Sequence, residues 1–190
     1  MELILIRHGR PERIDHDPNG ANPGLTELGH RQAKLMAEYM EPETIDAMYV
    51  SCQQRAIDTA GPLAEAKGLT PTIIDDIAEF DLGETSYIPG EEAEAYSDED
   101  IDALVASLTG EAFVKRVLDA VASIIDSHPG QRVVAVCHGG VISTVLNDIL
   151  GVDGRTYLNA SYTSVSRVMA KQSGFRSVAS FNECPWLRTM

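Results

Sequence analysis

Two segments of the sequence place a histidine at the end of an apolar run. Residues 3–6 are a continuous apolar stretch, typical of a strand buried on both faces of a sheet, and they lead into an Arg-His-Gly triplet that contains His8. Residues 133–136 form a second apolar run, which leads to His138 and two glycines. Ligands of open α/β sheets bind at the carboxyl ends of the strands. If the two strands are neighbours, both imidazoles will face one site, where they can act as nucleophile, base or hydrogen-bond donor.

Together with Arg55, these two segments resemble the histidine phosphatase superfamily, also called the phosphoglycerate mutase-like family. The matching residues follow the family's order over most of the chain: Arg7-His8-Gly9, Leu25-Thr26-Glu27-Leu28-Gly29 through Ala33, Ser51 with Arg55-Ala56 and Thr59-Ala60, Glu79 with Gly83, and His138-Gly139-Gly140. A single Arg-His-Gly is a weak motif, whereas five matches in order are a strong one. The resemblance implies an α/β fold and phosphoryl chemistry that needs neither a metal nor another cofactor.

The resemblance also implies a role for each of these polar side chains. His8 is expected to be the nucleophile and to become a phosphohistidine, while His138 donates hydrogen bonds to the phosphoryl oxygens as charge develops. Arg7 and Arg55 can supply bidentate donors to a phosphate in a way that lysine cannot. Two nearby guanidinium groups also disfavour the protonated form of His8, which leaves it a free lone pair at neutral pH.

Glu79 is the candidate general acid, because the family pattern places the acid before the Phe-Asp-Leu-Gly run. It must be protonated before it can give a proton to the departing alkoxide, so we expect burial or the phosphate's charge to raise its pKa. Asp81 and Glu84 are the alternatives for this role. Family members often carry an acidic residue directly after Arg-His-Gly, where this chain has Arg10, which either adds to the phosphate pocket or is solvated.

Composition narrows the class of protein. The chain has 190 residues, of which 44% are hydrophobic and 23% charged, as in an ordinary soluble domain. Its formal charge of −14 argues against a nucleic-acid partner. No apolar run is long enough to cross a membrane, and the N-terminal run is too short for a signal peptide, so we expect a cytoplasmic protein. The three cysteines lack a disulfide framework and the histidines lack metal-ligand spacing, so neither disulfides nor a metal site is expected.

The order of apolar patterns predicts a three-layer αβα sandwich with a mostly parallel central sheet and helices on both faces. Thr26 is the expected N-cap of the first helix, residues 51–67 the second helix, and Gly68 its C-terminal cap. Residues 162–170 and 175–181 alternate and suggest two final strands, one of them at the sheet edge. We expect one domain over residues 1–190, with an acidic cap inserted at about residues 84–110.

The cap segment bears on the choice of activity. A phosphoglycerate mutase must hold a substrate carboxylate, yet residues 84–102 contain no Lys or Arg. Gly83 is followed by Glu-Thr-Ser-Tyr, whereas family mutases and many phosphatases have an aromatic-Glu-Gly run there. We therefore expect a phosphatase acting on a phosphorylated small molecule or phosphopeptide. Mutase-type phosphoryl transfer and a phospho-ligand-binding module with little turnover are the alternatives.

The acidic cap favours a neutral or cationic leaving group, or a phosphopeptide with basic flanks. The sequence leaves the oligomeric state open, although the edge of a sheet could pair two chains into a homodimer.

Overall fold

The structure is a computed structural model that describes residues 1–92, 97, 99, 102–103, 106–107, 110–153 and 156–189. The strands of the described chain are β1 (Glu2–Arg7), β2 (Ala47–Ser51), β3 (Thr72–Ile74), β4 (Arg132–Cys137), β5 (Val165–Ala170) and β6 (Arg176–Glu183). Its helices are α1 (Glu27–Met40), α2 (Gln54–Lys67), α3 (Glu111–Ser127) and α4 (Gly139–Leu150), with 3₁₀ turns at Asp75–Ile77 and Pro185–Thr189. Much of the expected cap lies outside the described residues, so the cap stays a prediction.

The six strands form one sheet in the order β3-β2-β4-β1-β5-β6. Strands β1 to β4 run parallel, whereas β5 is antiparallel to β1 and β6 is antiparallel to β5. The α/β fold with a mostly parallel sheet is therefore confirmed, as is a final strand at the sheet edge. Strands β1 and β4 are neighbours in register, with Arg7 opposite Cys137, so the segments that follow them leave the sheet side by side.

The sheet is covered by helices on both faces because its central strands are apolar on both sides. Successive side chains of a strand point to opposite faces. Leu3 and Leu5 pack in one core with α3 and α4. Ile4 and Ile6 pack in the other core with α1 and α2. All four side chains are at most 1% exposed, so β1 is anchored from both faces and its end can position polar residues rigidly.

Local signals fix several boundaries of the helices. The Thr26 side chain accepts the N–H of Gly29 at 3.0 Å and begins α1, as expected of an N-cap. Gly68 ends α2 in the left-handed conformation at φ 63°. The start expected for the second helix is wrong: Ser51 is the last residue of β2, and α2 begins only at Gln54. Gln53 is extended and serves as the N-cap, so the chain turns two residues after the strand ends.

Candidate active site

The parallel pairing of β1 and β4 brings two imidazoles together at the carboxyl edge of the sheet. The ring centroids of His8 and His138 are 5.1 Å apart. His8 is 3% exposed and His138 is fully buried. Two neighbouring strand ends thus deliver the two histidines to one small site, which is the geometry expected from the sequence.

The nucleophile candidate is aimed by its own backbone. His8 donates its Nδ1–H to the carbonyl oxygen of Gly9 at 2.7 Å, since a carbonyl can only accept. The lone pair of a neutral ring therefore lies on Nε2. Burial, followed by the positive charges of Arg55 and Arg7, holds the pKa of His8 well below 6.5. The ring is thus neutral at physiological pH, with Nε2 free to attack an electrophile.

Glycine at position 9 is required by a close approach of backbone. A Cβ on Gly9 would lie 2.8 Å from the carbonyl oxygen of Gly29, at the start of α1. The Gly9 N–H is donated to Thr59 at 2.8 Å, and the Thr59 hydroxyl is donated to the carbonyl of Arg55 at 2.7 Å. The loop after β1 is therefore fixed between α1 and α2, which explains why the Arg-His-Gly and Leu-Thr-Glu-Leu-Gly segments belong together.

His138 is held in a defined tautomer by a serine. Its Nε2 lies 2.8 Å from the Ser51 hydroxyl oxygen, which already accepts the backbone N–H of Gln53 at 3.3 Å. The Ser51 hydroxyl proton is then directed at Nε2, so the proton of a neutral His138 sits on Nδ1. Burial, with the charge of Arg55 next, lowers the pKa of His138 well below 6.5, so the ring is neutral and its Nδ1–H is a hydrogen-bond donor.

Four buried nitrogen donors at this site have no acceptor among the described residues. They are the Nε of Arg7, the Nε and Nη1 of Arg55, and the Nδ1 of His138. A buried donor without a partner costs about 1–3 kcal/mol, and more when it is charged. So many unpaired donors beside one imidazole indicate a site that is completed by an oxyanion.

Each arginine is oriented by hydrogen bonds from a different nitrogen of its guanidinium, so the unpaired donors stay free. Arg55 is 1% exposed, and its Nη2 donates to both carboxylate oxygens of Asp81, at 2.8 and 2.9 Å. Arg7 donates its Nη1 to the carbonyl of Ala160. Aromatic rings cover both guanidinium groups, with Tyr162 at 4.3 Å from Arg7 and Tyr87 at 4.6 Å from Arg55. The positive charge is thus held in place and shielded from water before any anion binds.

Glu79 lies in the same site and is nearly buried, with 8% of its surface exposed. Its Oε2 accepts the backbone N–H of Gly140 at 2.7 Å. Burial, with the negative charge of Asp81 next, raises the pKa of Glu79 to about 7, so the expected rise is confirmed. The Gly140 N–H, at the start of α4, is therefore used by Glu79.

The other candidates for the proton donor are placed differently. Asp81 pairs with Arg55 and also accepts a hydrogen bond from the Gln53 side chain at 2.8 Å. Glu84 is exposed to solvent. Of the three carboxyl groups, Glu79 is therefore the one that is buried in the site and not paired with an arginine.

Arg10 follows neither of the two alternatives raised from the sequence. Its Nε donates to Glu91 at 2.8 Å, and its Nη2 donates to Glu92. Both are glutamates of the segment where the cap was expected. Arg10 therefore holds that segment against the loop after β1, because two carboxylates compete successfully with solvent for its guanidinium.

Three residues that contact the site were not predicted from the sequence. Gln53, 1% exposed, accepts the backbone N–H of Glu79 at 2.7 Å and donates to Asp81, so it links the acid to the partner of Arg55. Tyr87 and Tyr162 cover the arginines from loops; Tyr162 was expected to begin a strand, but that strand begins only at Val165. A polar residue between a strand end and Arg55 was the only available hint, and it pointed to Gln53 alone.

Two other kinds of feature are absent from the part of the chain that the structure describes. No group of three or more His, Cys, Asp or Glu side chains in that part of the chain is arranged to hold a metal ion. None of its helices combines the length and the apolar character needed to span a membrane. Cys137 is fully buried next to His138, and burial raises its thiol pKa far above the ordinary value, as expected of a packing residue.

Comparison with known proteins identifies the class. The sequence model of the histidine phosphatase superfamily (branch 1) matches residues 3–183, so this chain belongs to that superfamily. Phosphoserine phosphatase 1 of Hydrogenobacter thermophilus is 31% identical over 181 residues, which cover 87% of this chain and 86% of that protein.

Solved structures show the same fold at lower identity. A variant of phosphoserine phosphatase from Entamoeba histolytica, in complex with phosphoserine, superposes with a TM-score of 0.77 at 22% identity, covering 98% of each chain. A mycobacterial glucosyl-3-phosphoglycerate phosphatase in complex with VO3 gives a TM-score of 0.78 at 22% identity, covering 95% of this chain and 98% of the other.

Proposed function

We propose that this protein is a phosphatase that hydrolyses small phosphate monoesters through a phosphohistidine on His8. The observation that carries the proposal is the set of unpaired buried donors of Arg7, Arg55 and His138 beside the neutral ring of His8. A phosphate ester supplies the oxygens that these donors lack. It also places an electrophilic phosphorus atom next to a free imidazole nitrogen.

The reaction proceeds in two halves. In the first, Nε2 of His8 forms a bond to phosphorus as the ester P–O bond breaks, and the leaving oxygen takes the proton of Glu79. In the second, water attacks the phosphohistidine and returns a proton to Glu79, which releases phosphate and restores the free ring. Arg7, Arg55 and the Nδ1–H of His138 stabilise the negative charge on the phosphoryl oxygens in both halves.

Two considerations favour a small phosphorylated metabolite as the substrate over a phosphopeptide. The relatives named above are phosphatases of phosphoserine and of glucosyl-3-phosphoglycerate, both small molecules. The acidic segment that Arg10 holds also lies next to the site, because Glu91 accepts the hydroxyl of Tyr162, whose ring centroid is 5.7 Å from that of His8; a small ester fits beside it more readily than a peptide. Mutase-type transfer is less favoured, since the two carboxylates of Glu91 and Glu92 already pair with Arg10 and compete with a substrate carboxylate for its charge.

Substitution of His8 tests this proposal. We expect His8→Ala to abolish phosphate release from p-nitrophenyl phosphate in the presence of a chelator, while His30→Ala, at an exposed position on α1, keeps the wild-type rate. Wild-type protein quenched during turnover of a ³²P-labelled ester should carry acid-labile label, and His8→Ala should carry none. Normal turnover in His8→Ala would contradict the mechanism. Vanadate-induced thermal stabilisation without turnover in the wild type would instead indicate a binding module.

A further inference from the structure

A cavity of about 690 Å³ adjoins the phosphate site and extends towards the Arg10 ion pairs. Arg7 and Tyr162 belong to both, since they line the cavity and also lie beside His8. A phosphate held on the free Nε of Arg7 can therefore place the rest of its ester in this cavity. Arg10 and Glu91 line its other part, so these two side chains meet the leaving group.

The carboxylate of Glu91 is only partly neutralised by Arg10, because Glu92, which lies outside the cavity lining, shares the same guanidinium. Glu91 and Glu92 both pair with the single guanidinium of Arg10, which leaves one carboxylate charge in excess. No other Lys or Arg of the described chain pairs with either glutamate, and residues 84–102 contain none. The Arg7 charge is directed at the phosphate and does not cancel this excess. A leaving group that brings one positive charge would restore neutrality.

The distance between the phosphate site and Glu91 is set by one tyrosine. The Arg7 guanidinium lies 4.3 Å from the ring centroid of Tyr162, and the hydroxyl of that ring donates to Glu91 at 2.9 Å. One tyrosine side chain therefore spans the gap between the guanidinium and the carboxylate. An ester with its ammonium group two carbons from the phosphate oxygen has the reach to contact both.

We propose that Glu91 selects esters whose leaving group carries an ammonium group, so that the substrate class is the phosphates of amino alcohols. This inference rests on the phosphatase function proposed above. Glu91 is 43% exposed at its side chain, so it can exchange part of its contact with Arg10 for a ligand while Glu92 keeps Arg10 paired.

Two pairs of esters isolate the ammonium group. Phosphoserine and 3-phosphoglycerate differ only in an ammonium group against a hydroxyl on the same carbon. Phosphoethanolamine and 2-hydroxyethyl phosphate differ in the same way and lack the carboxylate. We expect kcat/KM of the wild type to favour the ammonium member of each pair about tenfold, as fits one charge-assisted contact with a half-exposed carboxylate.

The variant Glu91→Gln should reduce that ratio to about one in both pairs. The matched control, Glu65→Gln, removes the same charge from an exposed position on α2 and should keep the wild-type ratio. The ratio is the informative quantity, because a purely structural loss of the contacts to Arg10 and Tyr162 would slow both members of a pair alike. Equal turnover of the paired esters by the wild type, or a preference that persists in Glu91→Gln, would overturn the inference.

Failure of the proposed phosphatase function would give a different pattern of turnover. If no ester is turned over, including p-nitrophenyl phosphate, the phosphatase function itself is overturned and this inference with it. If p-nitrophenyl phosphate is hydrolysed and the paired esters show no ammonium preference, only the role of Glu91 is overturned.

Discussion

Replacing Glu79 by glutamine keeps an oxygen that can accept the N–H of Gly140 but removes the titratable proton from the site. A positioned general acid contributes about 10²- to 10⁴-fold to a rate. We expect Glu79→Gln to lose about that much kcat with an alkyl ester such as phosphoserine, whose alkoxide must be protonated as it leaves. The loss with p-nitrophenyl phosphate should be far smaller, because nitrophenolate leaves without a proton.

The pH dependence follows from the pKa of Glu79, which is raised to about 7. The acid is protonated below that value and loses its proton above it, so wild-type kcat/KM for an alkyl ester should fall as pH rises through 7. The ester's own second ionisation near pH 6 affects wild type and variant alike. The ratio of wild type to Glu79→Gln therefore isolates Glu79, and it should decline above pH 7.

Stability gives an independent measurement of the same proton. The pKa of the Glu79 carboxyl is 4.5 in its ordinary state and about 7 in the folded protein. This difference corresponds to about 3 kcal/mol in the free energy of unfolding. Because the pKa of Glu79 is higher in the folded than in the unfolded protein, its contribution to stability is fully present below pH 4.5 and is lost as pH rises through 7. Glu79→Gln stays neutral, so chemical denaturation should show it gaining up to about 3 kcal/mol over the wild type between pH 4 and pH 8.

Two outcomes would refute this reasoning. One is an equal loss of kcat with the alkyl and the aryl ester, which would assign Glu79 to positioning and not to proton donation. The other is a ratio of wild type to variant that does not change between pH 6 and pH 8. Asp81→Asn is the control variant. Asp81 pairs with Arg55, so its loss should weaken phosphate binding but should not change how kcat depends on the leaving group.

Two further substitutions test the donors around the phosphate. Ser51→Ala removes the hydroxyl that holds the proton of His138 on Nδ1. We therefore expect kcat to fall about tenfold or more, and ¹⁵N NMR of the ring to show a mixture of tautomers. A wild-type kcat would contradict this. Arg55→Lys keeps the charge but replaces the planar guanidinium, which pairs with Asp81 through one nitrogen and offers the others to phosphate, by a single ammonium nitrogen. The inhibition constant of inorganic phosphate should then rise about 10- to 100-fold, and an unchanged constant would show that Arg55 does not bind it.

The elements that carry the site could be predicted from the sequence, because the signals are local. The apolar run before His8 specifies a strand buried on both faces, and Thr26 and Gly68 specify helix ends through their own hydrogen bonds and backbone angles. The prediction was wrong at the start of α2, where Ser51 continues the strand. The polar residues there fit a helix as well as a turn, so the pairing of Ser51 with Ile74 of β3 decided the boundary.

The identities of the reacting groups came from the sequence, and their states came from the tertiary structure. The types and order of the residues predicted that His8, His138 and two arginines belong to one site, and the fold brings the two histidine rings within 5.1 Å of each other. Only the fold decided that Glu79 is the buried acid and that Arg10 pairs with two glutamates about eighty residues away along the chain. The physical reason is that strand and helix signals act over a few neighbouring residues. Burial, pKa and ion pairing depend on charges that the fold brings together from distant parts of the chain.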